Sequence, residues 1–283
     1  MSVMIIDFSQ VAIGSLQSAI ASMRMKNMDK DMYRHLILNS LRNVVFKFKN
    51  DYKEIIIACD SRNYWRKDVF PYYKAGRKKS REKSDIDWEI LFEVLTELKS
   101  DIKEIFPYKL IEVERAEADD IFGTLVPRLS AHQPVLMISS DGDFKQLHQY
   151  PNVKQYNPML KVFVKSDNPH LELKEKILKG DYGDSLVNIL SSSDTFVLGI
   201  RQKPMTKKLI EKYITLNFDD PTIENYENIQ RNKLLIDLSM IPQDIKDNIV
   251  KEYESPQTGS KNAIMKYFIK HRLTMLLECI NEF

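Results

Sequence analysis

The chain predicts an α/β fold: a mostly parallel central sheet flanked by helices, followed by a helical segment. Two observations carry this. Short, continuous apolar runs, the mark of strands buried on both faces, alternate with longer segments of helical spacing. Several of those runs end directly in acidic residues, as expected where a parallel sheet gathers a site at the carboxyl ends of its strands. At 283 residues, with 43% hydrophobic and 10% aromatic content, the chain has material for a sizeable core, in one large domain or two unequal ones.

The elements follow in order. Residues 3–7, Val-Met-Ile-Ile-Asp, read as a buried strand ending in Asp7. Residues 32–48 place apolar side chains three and four apart and predict an amphipathic helix. The run Ile55-Ile56-Ile57-Ala58-Cys59-Asp60 predicts a strand over 54–60, and further strands are expected at 109–113 and 134–139. Between these last two, Glu117-Ala118-Asp119-Asp120 opens a helix. After the fourth strand comes Ser139-Ser140-Asp141-Gly142-Asp143-Phe144, two carboxylates two residues apart where an apolar run breaks into a loop. Short strand-like pieces follow Pro151. From about 171 the chain turns helical, with polar turns at Asp219-Asp220-Pro221 and Ser255-Pro256-Gln257-Thr258-Gly259. A boundary near 180 divides a first domain, 1–180, from a helical domain, 181–283.

Composition excludes several classes. Two cysteines, Cys59 and Cys279, support neither a disulfide framework nor a zinc site, and fit a reducing compartment. No run approaches a membrane span, and the amino terminus lacks a basic-then-apolar secretion signal, so a cytosolic protein is expected. The net charge is only +2, but its distribution is uneven. In residues 61–84, nine bases (Arg62, Arg66, Lys67, Lys74, Arg77, Lys78, Lys79, Arg81, Lys83) meet only Asp68 and Glu82, interleaved with Tyr64, Trp65, Phe70, Tyr72 and Tyr73. Cations attract phosphates and aromatic faces stack on bases, so this segment reads as a nucleic-acid contact placed directly after Asp60.

A lone Asp after a strand is ordinarily a turn or capping residue, and Asp or Glu in a helix's first turn is ordinarily a dipole partner. The set argues otherwise, because Asp7, Asp60, Asp141 and Asp143 end apolar runs, and Glu117, Asp119, Asp120, Asp181 and Asp184 repeat the acidic pattern at other element ends. Carboxylate oxygens suit Mg²⁺ and Mn²⁺, and two such ions can serve both the attacking and the leaving oxygen of a phosphodiester. In helical geometry Glu117 and Asp120 share a face and Asp119 points elsewhere, so not all three are needed at a metal.

Asp7 in Ile-Asp-Phe-Ser, Asp60 before the basic segment, Tyr-Lys-Ala-Gly-Arg at 73–77, Glu-Ala-Asp-Asp at 117–120, Asp-Gly-Asp-Phe at 141–144 and Gly-Asp-Tyr-Gly-Asp at 180–184 together resemble the flap endonuclease family of 5′-nucleases, in order and spacing along nearly the whole chain. The resemblance implies a PIN-like nuclease core with a helical arch at about 61–84 and a carboxy-terminal helical, duplex-binding domain with a helix-hairpin-helix-like module at 184–215. It further implies a 5′–3′ exonuclease and flap endonuclease acting on RNA·DNA and DNA·DNA duplexes, removing RNA primers from lagging-strand fragments in phage replication within the host-cell cytoplasm.

By resemblance, Asp7, Asp60, Glu117, Asp119 and Asp141 hold or support a first Mg²⁺, with Asp120 adjacent, and Asp143, Asp181 and Asp184 hold a second, largely through water; Mn²⁺ is a substitute. Lys74 and Arg77 would steady the scissile phosphate. Tyr73 would stack on a base, while Arg66, Lys67, Lys78, Lys79 and Arg81 in the arch and Lys203, Lys207 and Lys208 in the hairpin would contact nucleic acid. The chain departs from the family at Gly199-Ile200-Arg201-Gln202-Lys203-Pro204, which lacks the usual glycine-rich hairpin and leaves the family's K⁺ site in doubt. Its first strand begins at Val3, without the extension that phage relatives link to the sliding clamp, so clamp binding is only a weak expectation. A monomer in contact with a phage single-stranded-DNA-binding protein is implied. Three other readings are a catalytically idle flap- or junction-binding protein, which would have lost carboxylates that this chain keeps, an aspartyl phosphatase, which would need an acid two residues after Asp7 where Ser9 stands, and a small single-strand ribonuclease, against which the arch and helical extension argue.

Overall fold

The computed structural model describes residues 2–23, 28–256 and 259–283; Gln257 and Thr258 of the expected turn lie outside the described residues. Six strands form one sheet in the order β3-β2-β1-β4-β5-β6. They are β1 (Val3–Asp7), β2 (Glu54–Ala58), β3 (Lys109–Ile111), β4 (Val135–Ile138), β5 (Val153–Asn157) and β6 (Val162–Val164). All neighbours are parallel except the β5/β6 edge, bearing out the predicted fold class. β1 matches its expected span; β2, β3 and β4 stop one or two residues short, because the chain leaves the ladder as it turns into the site.

Every residue of β1 and β4 is buried. Alternate side chains serve two cores, Met4 and Ile6 facing one and Val3 and Ile5 the other. The first is covered by α1 (Phe8–Met23), α2 (Lys30–Phe48) and α5 (Trp88–Ile105), the second by α6 (Ala118–Ser130) and the 3₁₀ turn Gly142–Gln149. α2 takes in the predicted helix and starts two residues earlier, because the Asp29 carboxylate caps it by accepting from the Met32 N–H.

The arch segment folds as two short helices, α3 (Trp65–Val69) and α4 (Arg77–Arg81), joined by turns. Beyond β6 come α7 (Pro169–Lys179), α8 (Lys207–Ile214) and α9 (Tyr226–Ile236), which form a third apolar cluster with Phe70 and Tyr73 of the arch. Residues 181–206 run mainly as turns, so of the hairpin module only α8 is helical. Ser191, Ser192, Ser193 and Pro204 disfavour helix here, and the Asn188 and Ser191 side chains bond neighbouring backbone instead.

The chain then returns to the sheet. Leu238, Ile241, Ile245 and Ile249, in and around α10 (Gln243–Glu254), join the second core. α11 (Lys261–Lys270) and α12 (Thr274–Glu278) bring Ile264, Phe268 and Leu276 to the first, where Phe283 also lands. The change of character at 180 therefore does not divide the hydrophobic core. No helix among the described residues is long and apolar enough to cross a membrane.

Candidate active site

The strand order reverses at β1, whose neighbours β2 and β4 carry the chain outward in opposite directions. That is the switch point at which open parallel sheets leave a crevice. Asp7 ends β1, Asp60 follows β2 by two residues and Asp141 follows β4 by three, so three carboxylates reach one edge. The start of α6 adds Asp119. These four line a cavity of about 330 Å³ together with Ser9, Gln10, Lys74, Arg77 and Ser140.

The acids are held in place. Asp7 accepts from the Gln10 N–H and the Ser139 hydroxyl, each at 3.1 Å. Asp60 accepts from the Ser9 hydroxyl at 2.7 Å and the Ala118 N–H at 2.9 Å. Asp141 caps the following turn by accepting from the Asp143 N–H at 2.8 Å.

Their charges conflict. Burial, then the Asp60 and Asp141 carboxylates, push Asp7 up to about 7. Burial and Asp141 hold Asp119 well above the ordinary range, and burial with Asp184 and Asp181 raises Asp141 although Lys176 and Lys74 oppose it. Acids crowded in this way call for a cation, and their oxygens are the hard donors that Mg²⁺ or Mn²⁺ prefers, so the residues fit a divalent ion. Among the described residues, no three Asp, Glu, His or Cys groups are arranged as they stand to hold one ion. Lysines are interspersed with the acids instead.

One such lysine escaped sequence reasoning. Lys176, in the last turn of α7, pairs with Asp143 and, at 2.7 Å, with Asp181. Burial pushes Asp181 up, but Lys176 and the N–H groups of Asp184 and Gly183 outweigh it and leave the carboxyl below its ordinary value. Only its position five residues before Asp181 could have drawn notice, because a lysine ending a helix is commonplace. Gly180 makes the turn: its φ is +72°, and a Cβ would stand 2.4 Å from the Leu186 carbonyl oxygen.

Asp184 belongs to a different ring. It pairs with Arg77 at 2.9 Å, lies 3.8 Å from Lys74 and accepts from the Tyr73 hydroxyl at 3.0 Å. Glu117 is 1% exposed and does not line the cavity; it accepts from Arg66 and Tyr73, each at 3.0 Å, and pairs with Lys74. Burial works against the Lys74 ammonium, and Asp184 and Glu117 more than offset it, so Lys74 is held firmly charged.

Three expectations need correction. Asp120 is fully buried away from the cavity, paired with Arg66 at 2.8 Å, accepting from the Trp65 indole and closing a capping box with Glu117, so it is no metal ligand. Arg66, 2% exposed, spends its guanidinium on Asp120, Glu117 and the Leu235 carbonyl, leaving none of it for nucleic acid. Tyr73, also 2% exposed, packs in the third cluster and offers no face to a base. Both side chains face inward because α3 and the following turns lie against α6 and α9.

Lys74 is largely buried, and the rest of the basic segment is more exposed. Lys67, Lys74, Arg77, Lys78 and Arg81 line a larger cavity of about 1020 Å³ that also reaches Asp60, Trp88 and Lys99. Lys79 is exposed beside it, and Lys203, Lys207 and Lys208 are exposed in the hairpin and at the start of α8.

Known proteins are similar to this chain over nearly its whole length. Residues 3–180 match the family described as 5′-3′ exonuclease, N-terminal resolvase-like domain, and residues 167–283 match T4 RNase H, C terminal. The chain is 38% identical to the ribonuclease H of Enterobacteria phage T4 over 292 residues, 99% of this chain and 95% of that protein. It is 27% identical to a 5′-3′ exonuclease of Buchnera aphidicola subsp. Acyrthosiphon pisum (strain APS) over 243 residues, 78% of this chain and 82% of that one. Among solved structures, the phage T5 5′-exonuclease with bound zinc aligns at a TM-score of 0.61 and 17% identity, covering 89% of this chain and 98% of its own. The T5 flap endonuclease in a pseudo-enzyme-product complex with DNA and metal ions gives the same score and identity over 90% and 100%. A match of this extent in both halves settles the relationship: the chain belongs to the 5′-3′ exonuclease family of phosphodiester hydrolases.

Proposed function

We propose that this chain is a divalent-metal-dependent 5′–3′ exonuclease and flap endonuclease that cuts RNA·DNA and DNA·DNA duplexes and removes RNA primers from lagging-strand fragments during phage replication in the host cytoplasm. The observation that carries this reading is the acid-lined cavity at the switch point beneath a basic, cavity-forming arch. Asp7, Asp60, Asp119 and Asp141 would hold one Mg²⁺, with Glu117 behind them. Asp143, Asp181 and Asp184 would hold a second. Bound there, the ions supply a water of lowered pKa and charge stabilisation for the attacked phosphodiester.

The protein's own groups do the rest. Lys74 and Arg77 present two fixed positive charges at the cavity wall, where negative charge builds on the phosphate in the transition state. Glu117 and Asp184 hold those cations in position before substrate arrives. Lys67, Lys78, Lys79 and Arg81 attract the strand carrying the 5′ end, and Lys203, Lys207 and Lys208 offer charges to the duplex backbone. A forked or flapped substrate meets both surfaces at once. Contact with a phage single-stranded-DNA-binding protein, monomeric action and Mg²⁺ as the working ion belong to the same proposal, and K⁺ in the hairpin is left open by its departure from the family.

The test is a labelled 5′-flap duplex and an RNA·DNA duplex incubated with Mg²⁺. Cleavage is expected for the native chain. Loss of at least about a thousandfold is expected for Asp141→Asn combined with Asp143→Asn, with duplex binding retained, since such electrostatic contributions are worth several kcal/mol. Unimpaired cleavage by the double variant would reject the site.

A further inference from the structure

Lys176 stands where the proposed second ion would bind. Its ammonium holds two carboxylates from different elements, Asp143 in the turn after β4 and Asp181 in the loop after α7. No lysine pairs directly with the cavity acids: Lys74 is drawn toward Glu117 and Asp184, and Lys176 acts on Asp141 only from a distance. The two acidic groups therefore differ in the cation-free protein: Asp143 and Asp181 are paired from within, while Asp7 and Asp119 bear the repulsion of Asp141 with no cation in contact.

We propose that Lys176 is a built-in competitor for the second divalent ion, so that ions load in sequence, the cavity first and the Asp143–Asp181 pair only when the lysine leaves. This rests on the reading of these carboxylates as ion ligands. An ammonium in contact with those oxygens and a cation held by them, directly or through water, compete for the same negative charge. Lysine suits the role because its charge sits on a flexible four-carbon stem and can swing out without backbone change. Its side chain is 26% exposed, so it has solvent to swing into. Two partly exposed ion pairs must break, which lowers the second ion's affinity about tenfold.

The experiment counts Mn²⁺ bound to the full chain without nucleic acid, by titration calorimetry and by loss of the free-ion spin-resonance signal. The native protein is expected to show a tighter and a weaker class, with the weaker class lost in Asp143→Asn. In Lys176→Met, and in Lys176→Gln measured beside it in case the first variant unfolds, the weaker class tightens about tenfold and the tighter class, which feels Lys176 only at a distance through Asp141, tightens much less. Lys179→Met removes the same charge one helical turn away, from an exposed pair with Glu175, and leaves both classes unchanged. The inference is overturned if the Lys176 variants leave the weaker class as it was, or if Lys179→Met tightens it equally; the carboxylates would then still be ion ligands. If no second class appears in any variant, the two-ion reading itself fails and the inference falls with it.

Discussion

Asp119 and Asp120 are adjacent yet meet opposite surroundings. One turns into the acid-lined cavity; the other, about 100° further round α6, is buried against Arg66 and Trp65. The helical spacing does pair Glu117 with Asp120, but the shared face is the inward one, where Arg66 binds both. Arg66 should therefore behave as a core residue. Arg66→Met would leave the buried Asp120 carboxylate without its cation and Glu117 with Lys74 alone, and is expected to cost about 3–5 kcal/mol in urea unfolding. A phosphate-binding arginine would instead leave the unfolding midpoint in place and weaken only DNA binding. Asp7, Asp60 and Asp141 were legible as a set because an apolar run before each fixes where the strand ends. Lys176 was not legible, since its meaning comes from Asp143, 33 residues away, and only the fold brings them together.

At the scale of elements, β1 and β4 were the most readable because they are continuous apolar runs buried along their whole length. The helices after 226 carry apolar residues too, but spacing alone does not say which surface they meet, and residues after 237 reach both cores of the sheet. α6 shows how closely the return is fitted. A Cβ at Gly123 would stand 2.6 Å from Ile241 Cδ1 and 2.9 Å from Leu238 Cβ, so the glycine lets the segment before α10 lie against the helix. Gly123→Ala gains up to about 1 kcal/mol of helix propensity and loses about 1–3 kcal/mol by overpacking, so a net fall in stability is expected. Gly123→Val should fall further, and both are read from urea midpoints at constant slope. Equal or greater stability in Gly123→Ala would mean that this contact is loose.

For the molecule as a whole, the acid cavity should make stability without divalent ions fall with rising pH where an ordinary protein is level. The Asp7 carboxyl titrates near 7 when folded against 3.8 as a free side chain, so the folded chain binds more protons than the unfolded chain between those values. Its contribution is fully present below the unfolded value and is lost as pH rises through the folded one. Asp119 and Asp141 shift the same way. His35, His148 and His271 act in the opposite sense, since burial holds each below 6.5, and their effect fades over about one pH unit above that unfolded value. Asp181, held low, titrates well below this range. The informative window is therefore about pH 7 to 8, in the presence of chelator. Melting temperature is expected to drop across it in the native chain and to drop less in Asp7→Asn. Adding Mg²⁺ should flatten or reverse the slope, because an ion that binds only the folded, deprotonated acids stabilises more as they ionise. A chelated protein whose melting temperature climbs through that window would show that the carboxylates are not crowded as the fold places them.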